Sequence, residues 1–281
     1  MFKRIVTGAV LVLILVPALI FYNTLITPVL WAVIAAVSLH EVAKCVGADV
    51  GRGRGTVMFF CLIGALFPFV QYVFGWGSVR SSHELIPVLL SVAFLAVYAL
   101  YAAGVFGLIK PKLSAKSELI LMLIYTSAAS VSVVAVTQMA HGGFILPMVF
   151  LGSWITDSFA YFCGSFFGRH KLIPSVSPKK TVEGSIGGTL FCGAFCALYG
   201  FIVASAAGLT VNYPALIITG LLLSVVSQIG DLNASYIKRT YGIKDFGNLF
   251  PGHGGMLDRF DSVIASAPLL YLFSLFCTYF S

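Results

Sequence analysis

The sequence predicts an all-α fold: a polytopic integral membrane protein with about nine transmembrane helices. Three observations predict it. The mean hydropathy is +1.00. Hydrophobic residues make up 59% of the 281-residue chain and charged residues only 10%, against about 25% charged in soluble domains. Apolar runs long enough to cross a bilayer recur along the chain, and the basic residues gather in alternate connections.

The expected spans are about 5–22, 27–45, 57–76, 85–109, 118–138, 144–165, 186–209, 214–233 and 261–280. The first follows Lys3 and Arg4. Its run is long and no small-x-small cleavage site follows cleanly, so it reads as a retained signal anchor. The second ends in His40, Glu41 and Lys44, read as solvated groups near the cytosolic surface. The third and fourth flank Arg80, and Lys110, Lys112 and Lys116 follow the fourth. The sixth carries Asp157 within its apolar run. The seventh is expected to open at the Gly187–Gly188 pair. The eighth ends at Asp231, and the ninth begins at Asp261. No extramembrane segment is long enough to be a soluble domain.

Nine spans put sixteen of the seventeen Lys and Arg residues on one side, leaving Arg80 alone on the other. The positive-inside rule then places the N-terminus in the cytosol and the C-terminus outside. The net charge of +7 is therefore read as topology, with contact to anionic lipid second. Nucleic acid is excluded as a partner because no soluble basic domain exists. The six cysteines show no CxxC spacing and read as small buried residues.

Two halves are expected: a transmembrane scaffold, 1–143, and a transmembrane catalytic half, 144–281, with its active site on the cytosolic face. Small residues at 164, 168 and 184–193 allow close helix packing, with homodimer contact an open alternative. In 230–262, four aspartates (Asp231, Asp245, Asp258, Asp261) alternate with Lys238, Arg239, Lys244 and Arg259. Acids that hold a divalent cation beside bases that hold phosphate point to metal-assisted chemistry on a phosphate compound.

If the eighth helix continues past its apolar run, Asp231, Ser235 and Lys238 fall on one face at i, i+4 and i+7. Asp258 and Asp261, at i and i+3, face one point at the start of the last helix. Asp157 inside a membrane span costs about 2.5 to 3.5 kcal/mol on insertion scales, so it needs a partner or a polar interior. Ser177-Pro-Lys-Lys-Thr-Val-Glu-Gly184 offers Lys179 and Lys180 next to a helix start, which suits phosphate and equally suits a solvated basic loop. The glycines of Pro251-Gly-His-Gly-Gly255 let backbone approach a ligand closely. His253 has no second histidine at ligand spacing and reads as a loop hydrogen-bonding residue.

These segments together resemble a known signature. Ser235-Tyr-Ile-Lys-Arg239, Lys244-Asp245 and Pro251-Gly-His-Gly-Gly-Met-Leu-Asp-Arg-Phe-Asp261 are similar to the phosphatidate cytidylyltransferase (CDP-diacylglycerol synthase) family. Asp157-Ser-Phe-Ala-Tyr-Phe and Ser177-Pro-Lys-Lys-Thr-Val-Glu-Gly resemble it too. Ala234 departs from the pattern, which commonly has glutamate there. The resemblance implies that CTP and phosphatidic acid give CDP-diacylglycerol and pyrophosphate in phospholipid biosynthesis, with membrane lipids as partners. It implies Mg²⁺, with a second cation such as K⁺ left open. Asp231 and Asp258 are the implied metal ligands. Lys238, Arg239, Arg259 and Asp261 complete the catalytic set. Lys179, Lys180, Ser235, Lys244, His253 and Asp157 form the expected substrate-binding set. A related CTP-using lipid enzyme and an ion-coupled transporter remain as alternatives.

Overall fold

The computed structural model describes residues 12–49, 53–75, 85–110 and 113–281. Among them, eight segments are long and apolar enough to cross a membrane. The helices are α1 (Ile26–Cys45), α2 (Gly53–Gly75), α3 (Leu85–Val105), α4 (Ala115–Thr137), α5 (Pro147–Phe167), α6 (Val182–Ala207), α7 (Tyr213–Thr240) and α8 (Leu257–Phe276). One helical turn, Gly142–Ile145, leads into α5 and completes its span. Residues 12–20 are helical as well and belong to the expected first span; the rest of that span lies outside the described residues. The protein is thus an all-α, multi-pass membrane protein, as its composition predicts.

The helix α4 is the central post. Every residue from Tyr125 to Thr137 is buried, so α4 is apolar or small all round, as a core helix must be. Outward-facing Leu13, Leu62, Phe166 and Phe276 are exposed, the pattern of side chains that meet lipid rather than water.

Helix starts follow capping chemistry. Ser114 accepts from the Ser117 amide at 3.2 Å to begin α4, and Asn212 accepts from Ala215 at 3.2 Å to begin α7. Thr181 accepts from Gly184 at 3.2 Å to begin α6. These bonds satisfy amides that have no partner within the helix.

Two features depart from the sequence-based expectation. The helix α6 opens at Val182 and not at the Gly187–Gly188 pair, because Thr181 supplies the cap. The glycines serve packing instead: a Cβ at Gly188 would lie 2.7 Å from the Thr156 carbonyl oxygen on α5. The basic stretch before α6 is also no plain loop. Strand β1 (Lys171–Ile173) pairs antiparallel with β2 (Ser177–Thr181), Lys171 opposite Thr181 and Ile173 opposite Ser177. Glu183 fastens this hairpin, accepting from the amides of Arg169 at 3.1 Å and His170 at 3.2 Å and from the His170 Nδ1 at 2.6 Å.

Candidate active site

The continuous helix α7 carries the site. It runs on through Asp231 to Thr240, so Asp231, Ser235 and Lys238 do share one face. Its last turns stand beside the start of α8, and the loop between them folds back to join both.

Lys238 is 8% exposed and Asp258 7%. The Lys238 Nζ lies 2.8 Å from the Asp258 Oδ1 and 5.3 Å from the centroid of the Phe246 ring. The other Asp258 oxygen, Oδ2, accepts from the amides of Phe246 at 2.8 Å and Gly255 at 2.9 Å. One carboxylate thereby orients a buried ammonium and ties both ends of the 246–255 loop. The loop can turn this tightly because Gly252 and Gly254 adopt φ of 80° and 85°, a region open to glycine.

Asp231 is half-buried, with its Oδ2 in ion-pair contact with the Lys180 Nζ at 2.5 Å. The Lys180 ammonium is sealed from solvent and off the hydrogen-bonding direction, so the attraction is charge-to-charge. This pair joins α7 to the hairpin. Asp261 is buried, and its Oδ1 accepts from the Ser262 amide at 2.7 Å. Asp157, on α5, is exposed to the cleft. The carboxylates of Asp157, Asp231 and Asp261 lie within electrostatic range of one another; Lys180 and Arg259 face Asp157, and Lys238 faces Asp261.

A cleft of about 390 Å³ opens between α5, the hairpin, α6 and α7, and of this cluster Asp157 and Lys180 line it. Asp157, Lys171, Lys179, Lys180, Ser185 and Gln228 give it polar walls; Ala160, Tyr161 and Leu172 give it apolar ones. Such a cleft suits an amphiphile whose charged end meets cations while its tail stays in lipid.

The structure brings together Asp157, Lys179, Lys180, Asp231, Lys238, Asp258 and Asp261, with the exposed Arg259 facing the same centre. It leaves others apart. Arg239 is exposed and donates to the Ile243 carbonyl at 3.3 Å, closing its own turn. Lys244 and Asp245 are exposed in the connection. Ser235 is half-buried on the α7 face, and the His253 amide donates to the Phe250 carbonyl at 2.9 Å within the glycine turn.

One residue reverses its sequence reading. Glu41 is not a solvated group: it is 6% exposed. Its Oε1 accepts from the Met256 amide at 2.8 Å and its Oε2 from the Leu257 amide at 2.9 Å. The helix α8 has no side-chain cap of its own, so an acid from α1 satisfies its orphan amides and meets its dipole. A signal existed in the sequence: a carboxylate at the end of an apolar helix needs donors, and donors gather at helix starts.

The fold and site define a membrane-embedded protein with an acid–base cluster beside a cleft that has both polar and apolar walls. The Cytidylyltransferase family matches residues 2–277, and the chain belongs to that family. It is 48% identical over 128 residues to the phosphatidate cytidylyltransferase of Brucella abortus, covering 46% of each chain. It is 47% identical over 118 residues to that of Bacillus subtilis, covering 42% of each. It is 45% identical over 131 residues to that of Aquifex aeolicus, covering 46% of each. The matched stretch spans just under half the length of these relatives.

Proposed function

We propose that the protein transfers cytidylate from CTP to phosphatidate, releasing pyrophosphate and forming CDP-diacylglycerol. The observation that carries this reading is a cleft lined by Asp157, Lys179 and Lys180, with Lys180 paired to Asp231, and the nearby acid cluster in which Lys238 is paired to Asp258. Two cations are held in place by acids, where phosphates of opposite charge can take them over.

In this reading a lipid phosphate oxygen attacks the α-phosphorus of CTP. The new bond is phosphorus to lipid oxygen, and the bond that breaks runs from the α-phosphorus to the bridging oxygen, which leaves with pyrophosphate. The nucleophile is anionic at neutral pH, so no general base is required. Positioning and charge stabilisation carry the step. Lys179, Lys180, Lys238 and Arg259 bind and orient the phosphates. Lys238 comes pre-aimed by Asp258, and Lys180 by Asp231. Asp157 and Asp261 keep negative potential close to the cations, so a phosphate entering the site is held among alternating charges.

The donor set fits Mg²⁺ that arrives with substrate. Among the described residues no three His, Cys, Asp or Glu groups are close enough to hold a metal unaided. Mg²⁺ is commonly bound by one or two carboxylates plus substrate phosphates and waters. Asp231, half-buried and paired with the cleft-lining Lys180, would be its anchor. Asp258 would join through the Oδ1 that Lys238 now holds, with Asp261 in electrostatic support. When bound, the ion supplies Lewis-acid neutralisation of phosphate charge. The sixteen-to-one split of basic residues supports an N-terminus and cleft on the cytosolic side.

The test is purified protein given phosphatidate, Mg²⁺ and CTP labelled at either the α- or the γ-phosphate. Label entering lipid from the α-phosphate alone is expected. Entry from the γ-phosphate means a kinase, and no entry from either overturns the reading.

A further inference from the structure

A second cavity, of about 270 Å³, lies between α3, α4 and the last turn of α7, lined by Tyr101, Leu113, Glu118, Tyr236, Thr240 and Tyr241. It is not part of the cleft. At about 100° per residue, the α7 residues of the cavity point about 180° around the helix from Asp231, Ser235 and Lys238.

Glu118 is the unexplained group. It is 2% exposed, and its Oε1 accepts from the Tyr101 hydroxyl at 2.8 Å. Among the described residues no Lys, Arg or His forms an ion pair with it. A buried carboxylate without a counter-charge is costly and is ordinarily paired. The wall behind it is deliberately close: a Cβ at Gly104 would lie 2.9 Å from the Tyr236 ring, so glycine on α3 lets that ring seal the cavity.

We propose that this cavity binds a primary ammonium group, carried by a soluble amine or by an aminolipid headgroup. An ammonium offers three N–H donors. The Glu118 carboxylate supplies the missing charge, and the hydroxyl oxygens lining the cavity, those of Tyr241 and Thr240 among them, supply further acceptors. Leu113 gives an apolar wall for the adjoining carbons. Among the described residues the lining holds no basic residue, which disfavours phosphates and nucleotides. Among the described residues it holds a single carboxylate, Glu118, which disfavours divalent metals. The volume admits a small alkylammonium and excludes a nucleoside triphosphate. The cavity sits where α3 and α7 end and α4 begins, at the level of the basic connections, so a headgroup or a dissolved amine can reach it.

The experiment uses the full chain in phosphatidylglycerol nanodiscs without CTP, so its outcome is independent of the transferase reading. Ethanolamine is titrated by calorimetry, with ethylene glycol at matched ionic strength as the neutral control. Saturable ethanolamine binding is expected, with none for the diol. Glu118→Gln should weaken it at least tenfold and Tyr241→Phe about threefold. Should Glu118→Gln fail to fold, Leu113→Trp fills the cavity and must abolish binding. Nanodiscs containing phosphatidylethanolamine decide the source: competition with ethanolamine assigns a lipid headgroup, and its absence assigns a soluble amine. No saturable binding by the unaltered protein, or equal binding by Glu118→Gln, overturns the proposal.

Discussion

Replacing Glu41 tests whether the first half of the chain sets the geometry of the site. Its two bonds, 2.8 and 2.9 Å to the Met256 and Leu257 amides, are charge-assisted, buried and aimed along a helix axis. Bonds to charged groups contribute about 1.5 to 3 kcal/mol each. Glu41→Gln keeps one acceptor and sets an NH₂ against an N–H donor, so it should cost about 2 to 4 kcal/mol of stability. The effect should not stop at folding. Leu257 precedes Asp258, whose Oδ2 ties the loop and whose Oδ1 aims Lys238. A shift of about 1 Å at such a site can cost on the order of 10²-fold in rate. The assay is CDP-diacylglycerol formation with kcat and KM for CTP resolved, alongside a denaturation midpoint in detergent. A fall in kcat of that order with little change in KM is expected. Full turnover with unchanged stability would refute the reasoning and return Glu41 to a solvated role.

Asp231→Asn should abolish turnover and cost less stability than the loss of Asp258, because the Lys180 and Asp231 side chains are 25% and 29% exposed against 11% and 2% for Lys238 and Asp258. Asp258→Asn should abolish turnover and also destabilise by about 3 to 5 kcal/mol, since it strands a Lys238 that is only 11% exposed in its side chain; equal midpoints for the two variants would contradict the burial contrast. Lys179, exposed on β2 at the cleft, should when changed to Ala raise the KM for CTP several-fold and leave kcat within about twofold, as loss of one phosphate contact predicts. Cysteines placed singly at the exposed Asn23 and Asn212 in a cysteine-free background should react with an impermeant thiol reagent from outside; labelling only after the membrane is broken would invert the proposed topology.

What could be read in advance divides along physical lines. Among the described residues hydropathy located the spans to within about four residues, because lipid imposes one rule on every helix, except that α7 runs on to Thr240, past the expected end at 233. Asp231, Ser235 and Lys238 were placed on one face by helical period alone, and α7 continues far enough to make that true. The misses share another cause. The hairpin at 171–181 is held by Glu183 bonding backward to Arg169 and His170, and α6 begins where Thr181 caps it. Neither follows from period or composition. Glu41 and Met256 are 215 positions apart, and no local pattern announces their contact. Asp258 looked like a plain ligand in the sequence for a nearer reason: its partners lie 3, 12 and 20 positions away, brought to it by a loop whose fold no periodicity reveals. Its spacing to Asp261 showed which way it faces, but only the folded loop shows that Phe246, Gly255 and Lys238 already claim both of its oxygens. Donors supplied by the folded chain therefore decide which acids of the site are free to meet substrate: three of them hold Asp258, while Asp231 is held by the Lys180 pair.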